Sequence, residues 1–81
     1  MIFDNDIVID RRSGRATLWA VARARTRFQV VIDPQYAIDH WLLPHPIDVQ
    51  EFKDAIRENM DEIVQDAKAA YAKGKLVLEL F

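Results

Sequence analysis

The stretch from Ile47 to Gly74 constrains the fold more than any other part of the chain. Asp48 fits a helix N-cap, and Glu51 three residues later completes the pattern of a capping box. Ile47, just before the cap, and Phe52 have the spacing of a hydrophobic staple. An apolar stripe continues through Ile56, Met60, Ile63, Ala67, Ala70 and Tyr71, in steps of three and four. The opposite side carries Lys53, Asp54, Arg57, Glu58, Asp61, Glu62, Gln65, Asp66 and Lys68. Lys73 stands in the last turn, and Gly74 is placed to close it with a left-handed cap. The pattern predicts one amphipathic helix of about 25 residues, roughly 37 Å long. A stripe of that length must lie on a broad apolar surface, and a sheet of about four strands provides one.

The strands for that sheet are legible on either side. Ile7-Val8-Ile9 is a short β-branched run that closes at a Ser13-Gly14 turn. Ala16, Leu18, Ala20 and Ala22 alternate with Thr17, Trp19 and Val21, a strand with two distinct faces. Arg23-Ala24-Arg25-Thr26 reads as a hairpin bend of open turn type, since it lacks Gly and Asn. Phe28, Val30 and Ile32 alternate with Arg27, Gln29 and Val31 in a third strand. Asp33-Pro34 starts a short helix that ends before Pro44-His45-Pro46. Leu76, Leu78 and Leu80 alternate with Val77, Glu79 and Phe81 in a closing strand. The expected fold is therefore α+β. Its order is β-β-β-α-α-β, with an about four-stranded, mainly antiparallel sheet covered on one face by a long amphipathic helix. The pattern leaves the place of the last strand in the sheet open.

Eighty-one residues make a single domain, 1–81, with no room for a second core. Apolar residues make up 51% of the chain, enough to form a core, with a thin margin that self-association would widen. There is no cysteine, which excludes disulfides and thiolate chemistry. The first residues hold Asp4 and Asp6 and no basic segment, unlike a signal peptide, and no apolar run approaches the roughly 20 residues of a membrane span. These features point to a reducing, bacterial-type cytoplasm.

Charge is divided between the halves. Residues 1–33 carry six arginines against four acids, whereas residues 34–81 carry five bases against nine acids. The strand half is Arg-decorated and the helical half is acidic.

Several features together resemble a group of small bacterial proteins, the domain-of-unknown-function family 1488. They are Trp19-Ala20 late in strand two, Phe28, Val30 and Ile32 in strand three, and Ile38 in the short helix. The long helix adds Phe52, Arg57, Ile63, Ala67, Tyr71 and the following Gly74. The resemblance implies three strands, two helices and a final strand, and it implies no activity. At the second bend that family usually carries a glycine, where this chain has Ala24-Arg25.

No catalytic constellation stands out, and none of the patterns calls for a cofactor or a metal. Ser13 is the only serine, and Ser-Gly before a strand is turn chemistry. His40 and His45 are five residues apart across a proline-rich loop, a spacing that matches no standard zinc pattern. Glu58 and Glu62 lie on the solvated side of the stripe rather than in a cleft. The two glycines make no phosphate loop.

What remains is surface. Trp19 and Val21 either fill the core or form an exposed patch on the outer face of the sheet. Together with Arg23, Arg25 and Arg27 they are the candidate interaction surface, and Arg11 and Arg12 are candidate anion contacts. The first or last strand offers an edge for strand addition. The function expected is a small non-enzymatic interaction or accessory module that self-associates or binds a protein partner. The alternative is weak nucleic-acid binding through the Arg-rich strand and turn region, against which the sequence pI of about 5.6 weighs.

Overall fold

The computed structural model describes residues 1–81 as a four-stranded sheet with helices packed on one face. The strands are β1 (Ile2–Ile9), β2 (Ala16–Val21), β3 (Arg27–Ile32) and β4 (Val77–Leu80); the helices are α1 (Pro34–Trp41), α2 (Val49–Glu58) and α3 (Met60–Ala72). Strand order is β1-β2-β3-β4. The first three strands pair antiparallel, as short connections require, and β4 runs parallel to β3. Three helices between β3 and β4 return the chain to the end where β3 began, which makes the parallel pairing feasible.

Two strict alternations decide the core. Ala16, Leu18 and Ala20 of β2 and Phe28, Val30 and Ile32 of β3 are all buried on the helix side. Phe52, Ile56, Ile63 and Ala67 meet them from α2 and α3, and Ala37 from α1. The small alanines of β2 leave room for Phe28, which meets Tyr71 edge-on with ring centroids 6.2 Å apart.

Asp48 and Asp33 cap α2 and α1 with their side chains, but the return bond of the expected capping box, from the Asp48 N–H to Glu51, does not form. The Asp48 carboxylate accepts hydrogen bonds from the N–H groups of Gln50 and Glu51, at 3.1 and 3.2 Å. Asp33 caps α1 by accepting from the Gln35 N–H at 2.9 Å. Gly14 takes φ of +74°, and a Cβ there would lie 3.3 Å from the ring of Pro34, so the β1–β2 turn needs glycine at this point.

Two features differ from the sequence expectation, and a third, the turn type of the second bend, is one that the sequence leaves open. The single 25-residue helix is two helices, broken at Asn59, whose φ and ψ are −103° and 17°. The Asn59 side-chain amide donates to the Ala55 carbonyl at 2.8 Å, beside the Asn59 backbone N–H that donates to the same oxygen at 3.0 Å, a back-bond of the kind that bends helices. The first strand is not confined to Ile7-Val8-Ile9 but starts at Ile2, because Ile2 and Phe3 pair with Val21 and Ala20 at the far end of β2. Its register slips between Phe3 and Ile7, and this bulge absorbs the polar Asp4-Asn5-Asp6 run. The bend after β2 is a tight turn in which Ala24 and Arg25 have φ of 55° and 61°. Thr26 N–H donates to the Arg23 carbonyl at 3.1 Å. Two successive positive φ values mark a type I′ hairpin turn, built here without the usual Asn or Gly.

Candidate interaction surface

Each residue that points away from the core on these strands lands on one face, and no element of the chain covers it. The pairing register fixes who neighbours whom. Ile2, Val21 and Arg27 form one row across β1, β2 and β3. Trp19, Gln29 and Val77 form the next, and Val8, Thr17, Val31 and Glu79 the third. Beyond them stand Arg15, Asp33 and Phe81, each one residue past a strand end. The face mixes apolar residues in every row with charged ones, Arg27 in the first row, Glu79 in the third, and Arg15 and Asp33 beyond. Its large side chains are open to solvent: Ile2 is 78% exposed, Phe81 54%, Val21 48% and Val77 37%.

Trp19 is partly shielded, because Arg27 on the neighbouring strand lies over its ring with the guanidinium carbon 5.2 Å from the centroid. This diagonal cross-strand pair combines a cation–π attraction with cover for the indole. The same device closes the other end, where Arg15 lies 4.2 Å over the Phe81 ring. Arg15 also donates from Nε to Asp33 at 2.9 Å. That bond and the Gln35 N–H hold the Asp33 carboxyl below the usual value of 3.8, the guanidinium being the larger cause.

Of the residues singled out from sequence, Trp19, Val21 and Arg27 come together on this face. Arg23 and Arg25 extend from the turn at its upper end and are exposed. Arg11 and Arg12 lie in the β1–β2 turn at the opposite end of β2, roughly 20 Å away along a six-residue strand. The arginines therefore build no continuous basic track. Asp10 folds that lower turn by accepting from the Arg12 N–H at 3.1 Å and the Ser13 hydroxyl at 2.8 Å. These two bonds, led by the Arg12 N–H, hold the Asp10 carboxyl low.

Sequence reasoning missed Ile2, Val8, Val77 and Phe81 as members of the surface. The signal was the period-two parity already used for β2 and β3, but it identifies a shared face only once the strand order is known.

Two depressions border the sheet. One, of about 300 Å³, opens where the β1 bulge pulls away from β2, between Asp4, Asn5, Trp19 and Arg27. The other, of about 280 Å³, lies between the β1–β2 turn, Pro34 and the loop at His45-Pro46. Ser13 and His45 both line it, but the Ser13 hydroxyl is committed to Asp10. His40 is stacked on Tyr36 with centroids 4.1 Å apart, on the helix side. Burial, with the charges of Glu62 and Asp66, pushes the Tyr36 hydroxyl upward.

No helix is long and apolar enough to cross a membrane. No family model matches the chain, and neither curated proteins nor solved structures yield a match.

Proposed function

We propose that this chain is a non-enzymatic interaction module whose contact surface is the open face of its sheet, and that its occupant is a second copy. One observation carries the proposal: a sheet with one face fully packed leaves Ile2, Val21, Val77 and Phe81 exposed around Trp19 on the other. Charge supports the choice of occupant. Arg27 stands at one end of the face and Glu79 near the other, so a copy turned end for end brings opposite charges together.

Trp19 supplies the test. In a Trp41→Phe background it is the sole indole, and that substitution also removes a buried N–H with no acceptor. Light scattering and Trp19 emission are followed together over a dilution series. Association accompanied by a blue shift supports the proposal. A chain that stays monomeric to about 1 mM, or that associates while Trp19 emission stays unchanged, overturns it.

A further inference from the structure

The two edges of the sheet are built differently. The β1 edge is broken by its bulge and carries exposed Asp4 and Asp6, which discourage strand addition. The β4 edge has no bulge, and its exposed charges, Lys75 and Glu79, are of opposite sign. Its strand reads Val77-Leu78-Glu79-Leu80 and is preceded by Lys75 and Leu76. Leu76 is 56% exposed although it follows directly on the packed helix layer.

The backbone shows which groups are free. The carbonyls of Leu76 and Leu80 accept from Gln29 and Asp33 of the β3 side, at 3.1 and 2.8 Å. Alternation along the strand then turns the N–H and C=O groups of Val77 and Glu79 outward, toward the open edge, whereas the Lys75 N–H is committed to the Ala70 carbonyl at 3.1 Å.

We propose that β4 pairs antiparallel with β4 of a second copy about a two-fold axis through Val77, joining two sheets into one of eight strands. In this register Val77 faces its own counterpart and each exchanges both backbone hydrogen bonds. Lys75 faces Glu79 of the other copy, twice by symmetry, and Leu76 faces Leu78. A shift of two residues in either direction separates Lys75 from Glu79, so the charges select the register. Both helix layers fall on the same side of the joined sheet and both open faces on the other. Edge pairing by itself ends at two copies, because the seam consumes both β4 edges and β1 is guarded. The inference shares with the preceding section the choice of a second copy as partner, and it adds a contact on the edge that is distinct from the one on the face.

Charge exchange tests the register, again in the Trp41→Phe background with light scattering and Trp19 emission. Lys75 and Glu79 are exposed, so their substitution leaves the core intact. Lys75→Glu alone and Glu79→Lys alone each place two like-charge pairs in the seam and weaken the dimer about 30-fold. The double exchange, Lys75→Glu with Glu79→Lys, returns the affinity to within a few-fold of the parent. Dimers with that signature and solvent-exposed Trp19 emission establish the seam and overturn the face contact. Association indifferent to all three variants, with a blue shift at Trp19, overturns the seam and keeps the face. A monomer at about 1 mM overturns both. A double exchange as weak as either single one overturns the seam.

Discussion

Leu18 and Trp19 are neighbours in the chain and stand on opposite sides of one sheet. Leu18 is sealed between Phe28, Val30 and the helices, whereas Trp19 has only an arginine laid across it. The same contrast holds along every strand. The helix side is filled by apolar groups and holds no buried charged or polar residue. The open side mixes Val8, Val21, Val77 and Phe81 with Arg27, Glu79, Arg15 and Asp33. One surface is completed by folding and the other is left for something else. A chain of this size has little stability to spare. Maintaining an apolar face in water is therefore informative in a way that a packed face is not.

Substitutions on the two sides should separate accordingly. Phe28→Ala deletes a fully buried ring and is expected to cost about 3–5 kcal/mol in urea unfolding. Trp19→Ala, measured below the concentration of association, should cost much less despite the similar size of the side chain. Equal losses would mean that the open face is packed after all.

Asp33 lies where the two sides meet, capping α1 while binding Arg15. Asp33→Ala should cost about 1–2 kcal/mol at pH 7, mainly as a lost cap. Its folded carboxyl titrates below the unfolded value of 3.8, so its stabilisation is complete above that pH. It is lost as the pH falls through the lower folded value. Unfolding midpoints between pH 2 and 6 should fall less steeply on the acid side for Asp33→Asn than for the parent.

The hairpin that presents Arg23 and Arg25 offers a gain instead of a loss. Ala24→Gly relieves a left-handed alanine and should stabilise the chain by about 0.5–1 kcal/mol. A melting temperature that falls would show that the turn has another geometry. The smallest effect belongs to Val21→Lys. It should leave monomer stability within about 0.5 kcal/mol while abolishing the Trp19 blue shift on association. Calorimetry on dilute protein and emission at high concentration would read the two quantities separately.

Much of this architecture could be read before the fold was known. Asp48, Ile47 and Phe52 mark the start of α2 because a cap and a staple are local chemistry, complete within six residues. The alternation of Leu18 with Trp19 and of Val30 with Val31 divides each strand into two sets for the same reason. The break at Asn59 was hidden, since Met60 and Ile63 keep the stripe in phase across it. The bulge in β1 was hidden because its polar residues resemble a loop until β2 is there to pair with them.

The amino-acid order alone determined the kinds of element, their caps and the two-sided character of the strands, since these depend on residues a few positions apart. Only the tertiary structure decided which side of each strand the helices cover, that β4 lies parallel beside β3, and that Ile2, Trp19, Val77 and Phe81 share a face. Those facts depend on pairings between residues distant along the chain, and a pattern of period two is the same whichever neighbour a strand acquires.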